Sequence, residues 1–201
     1  MSVEFGTQDA EKAAITKNTC GILVEPMQGE GGINIPPSGV LKGLREIADD
    51  HDLLWMLDEI QVGLGRTGKK FCFEHENIVP DGLILGKALS GGLIPLSVFI
   101  TSAKLMDIAF NKGSDGSTFG GYPLACVAGV SALEVLQEEQ LVKASEVQGK
   151  KLKQRIMKIA DRSKHIKEVR GKGLFIGIEV ENGDAMIFCR NLLDLGIIVN
   201  D

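Results

Sequence analysis

The pattern of apolar and polar residues predicts an α/β chain, a mostly parallel sheet covered by helices, followed by part of a small α/β C-terminal domain. Three observations predict it. Short apolar runs at Cys20–Glu25, Leu53–Leu57 and Gly82–Leu85 alternate with loops or helical patterns. These runs are apolar at consecutive positions, the mark of strands buried on both faces of a parallel sheet. From Ile166 the order becomes strand, strand, helix, strand. The reading is therefore one unit over 1–142 and a second, incomplete unit over 143–201.

Each element follows from local chemistry. Thr7 caps a helix over about 8–16. CGILVE (Cys20–Glu25) is the first strand, and a loop with Gly29, Gly31, Gly32, Pro36 and Pro37 follows it. Val40, Leu41, Leu44, Ile47 and Ala48 fall at helical spacing, giving a helix to about His51. Leu53–Leu57 is the second strand and ends at Asp58. A glycine-rich loop runs through Lys70; Gly82–Leu85 and Leu96–Thr101 are the third and fourth strands. Tyr122 to Arg162 is helical with a polar break near Glu138–Gln140. Ile166–Val169 and Leu174–Val180 are strands, 184–195 is a helix, and Ile197–Val199 is a last strand after which the chain stops. A stop directly after a strand reads as a truncated domain.

Composition removes several functions. Lys plus Arg number 22 and Asp plus Glu 27, a formal net charge of −5 without a basic block, so nucleic acid is not an expected partner. No apolar run approaches the roughly 18–20 residues of a membrane span, and the first residues lack the pattern of a secretory signal. Cys20, Cys72, Cys126 and Cys189 have no metal-ligand spacing and read as reduced, buried thiols of a cytoplasmic protein; no metal is expected. The three histidines read as surface or structural.

Two residues stand where chemistry is expected. Asp58 ends an apolar strand inside DEIQ, and Lys87 follows the strand LIL inside GKALSGG, 87 − 58 = 29 residues later. In open α/β sheets, ligands bind outside the carboxyl ends of the strands. A lysine amine can condense with an aldehyde once deprotonated. An aspartate facing a pyridine nitrogen keeps that nitrogen protonated and the ring electron-poor. A lone lysine after a strand is otherwise a solvated charge, and an aspartate there is a turn residue.

The words around these residues decide between the readings. EPMQGEGG (Glu25–Gly32), DEIQVGLGRTGK (Asp58–Lys69), ILGKALSGG (Ile84–Gly92), GSTFGGYPLAC (Gly116–Cys126) and VRGKGL (Val169–Leu174) occur in that order over nearly the whole chain. Together they resemble the class III, or subgroup II, pyridoxal-phosphate-dependent aminotransferases, and among them the ornithine aminotransferases. The resemblance implies the fold type I of pyridoxal-phosphate enzymes, with 1–142 as the C-terminal part of the large cofactor-binding domain. It implies pyridoxal 5′-phosphate as cofactor. Lys87 would hold it covalently and carry the Cα proton, and Asp58 would pair with the ring nitrogen. Ile60 would pack on the ring face, and Gln61 would bond the phenolic oxygen. Ser117 and Thr118 would reach the cofactor phosphate of the neighbouring subunit, making a homodimer. Glu30, the second glutamate of its motif, would gate the substrate carboxylate. GLGRTG (Gly63–Gly68) lacks the strand–turn–helix setting of a dinucleotide site and reads as a structural loop, with Arg66 as a candidate ion-pair residue.

By this resemblance the reaction moves the terminal amine of ornithine to a 2-oxo acid. The serine of GKALSGG and the isoleucine of DEIQ favour this over acetylornithine aminotransferase. Other enzymes of the fold, and an inactive fragment that only folds or binds a partner, are the alternatives. The family's phosphate loop and its α-carboxylate arginine have no counterpart here, so this chain alone is expected to turn over little. Tyr122 and Ile94 depart from the family pattern. The compartment expected is the cytoplasm, or the mitochondrial matrix with a presequence.

Overall fold

The computed structural model describes residues 1–110, 113, 116–181 and 185–200. A four-stranded sheet runs in the order β1 (Gly21–Val24), β2 (Leu54–Asp58), β3 (Gly82–Leu85), β4 (Val98–Thr101). The first three strands are parallel, with Leu57 opposite Val24 and opposite Leu83. β4 returns antiparallel to β3, pairing Leu85 with Val98.

Helix α1 covers Gln8–Ala14, and α2 covers Val40–Asp50 as the crossover from β1 to β2. The α2 stripe of Val40, Leu41, Leu44 and Ala48 packs against Trp55, Leu57, Leu83 and Leu85. Trp55 is fully buried, and the Arg45 guanidinium lies 5.6 Å from its ring centre. Asp81 staples this region. Its Oδ2 accepts from the Trp55 amide at 2.8 Å and from Arg45 at 2.7 Å.

One expectation fails at the sheet. Leu23 of β1 is 59% exposed, and Val98, Phe99 and Ile100 of β4 are also open. Leu23 and Phe99 lie on the face opposite Leu57, Leu83 and Leu85, which no described element covers; Val98 and Ile100, paired with Leu85 and Leu83, share the packed face but sit on the outer strand β4.

Two helices were less legible. The α3 helix (Ala103–Ala109) is only seven residues, too short to show a periodic pattern; Ser102 caps it by accepting the Leu105 amide at 3.2 Å. Thr7 sits at the start of α1 without a side-chain cap; its hydroxyl instead donates to the Glu4 carbonyl. Helices α4 (Pro123–Glu138) and α5 (Leu141–Ala160) flank the expected polar break, where Gln140 turns left-handed at φ 55°.

Strands β5 (Ile166–Lys172) and β6 (Phe175–Val180) form an antiparallel hairpin beside α5, and α6 (Ala185–Asp194) follows. The expected strand at Ile197–Val199 does not form. Ile197 caps α6 instead, donating to the Leu192 carbonyl after Gly196 turns at φ 78°, and no described strand lies beside it to pair with. Of the cysteines only Cys72 is buried; Cys20 and Cys126 are exposed and Cys189 is half-buried, which corrects the reading of buried thiols. Apolar neighbours in sequence do not bury a thiol when the helix face or strand edge bearing it is open.

Two glycines lock the hairpin to the rest. Gly173, at φ 55°, turns from β5 to β6 and presses on the GLGRTG loop; a Cβ there would meet the Arg66 carbonyl oxygen and the Gly68 nitrogen at 2.6 Å each. From the other side α5 approaches through Gly149, whose Cβ would lie 2.7 Å from Gly173 Cα. The Leu174 amide and the Ser145 hydroxyl both donate to the Arg66 carbonyl at 3.0 Å. The GLGRTG segment is therefore a packing loop. The expected ion pair of Arg66 is absent among the described residues: the side chain is exposed, and it is the backbone that is used.

Candidate active site

The parallel register brings the two chemical residues to one edge of the sheet. Asp58, last in β2, stands opposite Ile84 of β3, and Lys87 comes three residues beyond Ile84, just past the carboxyl end of β3. The extension of β2 stays beside that turn. The Glu59 amide bonds the Ile84 carbonyl at 3.0 Å, and Ile60 Cγ2 lies 3.4 Å from where a Cβ on Gly86 would be. Asp58 Oδ1 accepts from the Ile60 amide at 2.9 Å, which orients the carboxylate; Oδ2 has no hydrogen-bond partner among the described residues.

Lys87 carries a left-handed backbone, φ 42°, unusual for a residue with a side chain. The turn is imposed from both ends. Leu89 donates to Gly86, Gly91 donates to Ala88, and the buried Ser90 hydroxyl bonds the Ile94 carbonyl, closing the segment before β4. The Lys87 side chain is 57% exposed and its Nζ lies 3.9 Å from Glu30 Oε1.

Glu30 joins two of the expected residues. Its Oε1 also accepts from Gln61 Nε2 at 2.6 Å. The Gln61 carboxamide rests over Gly29, where any Cβ would collide with it. Glu30 rides on a tight loop closed by paired backbone bonds between Gln28 and Asn34, each 3.0 Å. Lys87, Glu30 and Gln61 thus form one polar cluster, and Asp58 and Ile60 lie on the adjoining strand end. Ser117 and Thr118 stand apart. They lie in an exposed turn, and no hydrogen bond or ion pair joins them to the cluster among the described residues.

Glu59 was not singled out from sequence, yet it is a charged residue only 1% exposed at this strand end. Alternation along an extended segment places it opposite its neighbours Asp58 and Ile60. There its carboxylate accepts the amides of Cys72 and Phe73 at 2.7 and 2.8 Å, fastening the strand end to the 3-10 turn Cys72–His75. Burial pushes the Glu59 carboxyl up to about 7, against the two amide bonds that favour the charge; the nearby Glu74 adds to the rise. A group whose pKa is raised on folding stabilises fully below its unfolded value, and that contribution is lost as pH climbs through the folded value. The urea midpoint is therefore expected to fall between about pH 5 and pH 8, and Glu59→Gln is expected to flatten that slope. A variant with the unchanged slope would remove Glu59 as its source.

The class-III aminotransferase family model matches residues 4–201. This chain belongs to that family. Ornithine aminotransferase 2 of Staphylococcus aureus strain MRSA252 is 50% identical over 199 residues, covering 99% of this chain and 49% of the relative. The chain spans about half the length of the curated relatives it matches. Among solved structures, the ornithine aminotransferase of Toxoplasma gondii, crystallised with oxidised glutathione and with partial occupancy of PLP at its active site, superposes with TM-score 0.94 at 37% identity. That match covers 98% of this chain and 47% of the other. The acetylornithine aminotransferase of Elizabethkingia anophelis gives TM-score 0.93 at 38% identity, over 98% of this chain and 51% of the other. The fold is that of these class-III aminotransferases.

Proposed function

We propose that this chain carries the lysine-bearing part of a pyridoxal-phosphate-dependent aminotransferase site. The observation that supports the reading is that Asp58 and Lys87 follow the carboxyl ends of neighbouring parallel strands, with Glu30 paired to the amine and bonded in turn by Gln61. The donor set fits the cofactor. Among the described residues the carboxylate keeps one oxygen without a hydrogen-bond partner, the amine is accessible, and an apolar side chain stands between the two strand ends.

Pyridoxal phosphate, when bound, supplies an electron-poor ring that stabilises the carbanion left by loss of the Cα proton. Lys87 would hold it covalently and carry that proton. Asp58 would keep the ring nitrogen protonated, Ile60 would pack on the ring, and Gln61 would bond its phenolic oxygen. Glu30 faces the substrate and acts on its carboxylate. Ser117 and Thr118, displayed on an exposed turn, serve the phosphate of a second subunit, so the working unit is a homodimer. The same reading divides the chain into 1–142, part of the cofactor domain, and 143–201, the start of the small domain.

The donor is ornithine, giving its terminal amine to a 2-oxo acid. The 50% identity to an ornithine aminotransferase supports this. Acetylornithine is the second donor to test, given the likeness to the Elizabethkingia anophelis enzyme. The test has two parts. Incubating the chain with pyridoxal phosphate and reducing with borohydride is expected to fix a pyridoxyl group on Lys87, mapped by mass spectrometry. No fixation, or fixation spread over surface lysines, defeats the reading. A longer protein containing this chain is then expected to turn over ornithine faster than N-acetylornithine; the reverse order would reassign the donor.

A further inference from the structure

Glu30 can act on a substrate only if its loop is held, and most of that loop's own bonds lie at its neck. The Gly32 and Ile33 amides donate back to the Gly29 carbonyl, and both residues are left-handed, at φ 107° and φ 55°. A β-branched residue in that region is strained and needs an outside brace. The brace comes from 138 residues away.

Arg170 of β5 places Nε and Nη2 on the Gly32 carbonyl at 2.9 and 2.7 Å, and Nε also reaches the Ile33 carbonyl at 3.2 Å. Its remaining nitrogen, Nη1, is taken by Glu168 at 2.8 Å and Glu179 at 2.6 Å, so the guanidinium is fixed in its plane. Opposite Arg170 in the hairpin stands Gly177. A Cβ there would lie 3.1 Å from Ile33 Cβ and 3.6 Å from the Gly32 carbonyl oxygen, so the missing side chain is what lets the loop seat on the hairpin. Phe175 completes the seat, packing with Ile33 and Ile35 against Met27, Val62 and Cys72.

We infer that Arg170 is a positioning residue for Glu30, coupling the β5–β6 hairpin to the carboxylate beside Lys87 and Gln61. The functional meaning of that coupling rests on Glu30 facing substrate, as proposed above. A shift of the hairpin moves Gly32, and with it the adjoining segment that carries Glu30. The hairpin thereby sets the discrimination exercised by a residue it does not itself touch.

The test needs neither cofactor nor turnover. A water-soluble carbodiimide joins carboxylates to amines in close approach, so the chain is expected to yield a Glu30–Lys87 amide, absent in Glu30→Gln. The Lys143–Glu146 pair, 2.7 Å apart on α5, calibrates the yield, and the Lys167–Glu179 pair reports that the hairpin is formed. Arg170→Gln is expected to lower the Glu30–Lys87 product roughly tenfold, the factor given by losing a charged donor's hydrogen bonds, with both reference products kept. Arg170→Lys keeps the ion pairs with Glu168 and Glu179 but not the two-nitrogen grip on Gly32, and is expected to fall nearly as far. It decides the matter if Arg170→Gln does not fold. Product at the parent level in either folded variant overturns the inference. Failure of borohydride labelling at Lys87 would instead overturn the cofactor reading, and the two results are independent.

Discussion

Gly173→Ala is expected to destabilise the chain by about 3 kcal/mol, the sum of an overpacked contact and a left-handed alanine. A flexible side chain can step aside, but here the added methyl meets backbone: the Arg66 carbonyl oxygen and the Gly68 nitrogen, each 2.6 Å away. Those atoms are themselves fixed, since the Arg66 carbonyl receives both Leu174 and Ser145. Relief would require moving the GLGRTG loop, the hairpin turn, or α5 together. In thermal unfolding this corresponds to a drop of roughly 6–12 °C for a chain of this size. Gly149→Ala, striking the same turn from α5, is expected to cost a similar amount, because its methyl also meets Gly173 backbone. Gly116→Ala is the control. Nothing lies within 4 Å of its Cβ, and a change within about 0.5 kcal/mol is expected. Equal midpoints for Gly173→Ala and Gly116→Ala would show that the three-way contact is not formed.

Lys87→Ala is expected to abolish borohydride-fixed pyridoxyl labelling completely while leaving the fold at least as stable. The loss is absolute because the fixed bond is made by the amine itself, and among the described residues no other amine joins the cluster of Glu30 and Gln61. The stability expectation follows from the surroundings. The side chain is 57% exposed and its one ion pair among the described residues is a long 3.9 Å contact with an exposed carboxylate, an interaction of little net worth. The backbone, at φ 42°, is in a region that favours glycine, so Lys87→Gly is expected to gain up to about 1 kcal/mol over Lys87→Ala. A loss of stability in both variants would mean that Lys87 serves the fold. Residual labelling elsewhere at the parent yield would mean that it does not serve the cofactor.

Much of this was legible because it depends on local pattern. The strand Gly82–Leu85, the α2 stripe from Val40 to Ala48 and the break before α5 each follow from a short run of apolar spacing. The edge holding Asp58 and Lys87 follows from the rule that places ligands at carboxyl ends of parallel strands. Tertiary facts were not legible. Glu59 reads as a surface acid until its amide partners at Cys72 and Phe73 are known, although a second carboxylate directly after Asp58, pointing to the opposite face, was a signal available in sequence. Arg170 reads as an ordinary strand residue, since nothing local announces carbonyls 138 residues away. Ile197–Val199 has strand composition, but strand formation needs a neighbour and composition does not supply one. Leu23 reads as core for the same reason: an apolar side chain records a preference, and burial depends on what lies across from it.

The reversal of direction at β4 has a mechanical result. Because β4 runs back beside β3, both ends of the segment bearing Lys87 are hydrogen-bonded into one ladder, Leu85 to Val98. Such a mounting gives the amine a rigid base and a limber arm. In the proposed proton transfer, its travel would come from rotation about side-chain bonds on the nanosecond scale, without the slower swing of a hinged loop. Relaxation measurements should then find stiff amides through Lys87–Ser90 and a mobile ε-methylene at Lys87; slow exchange broadening across that backbone would show that the base itself moves.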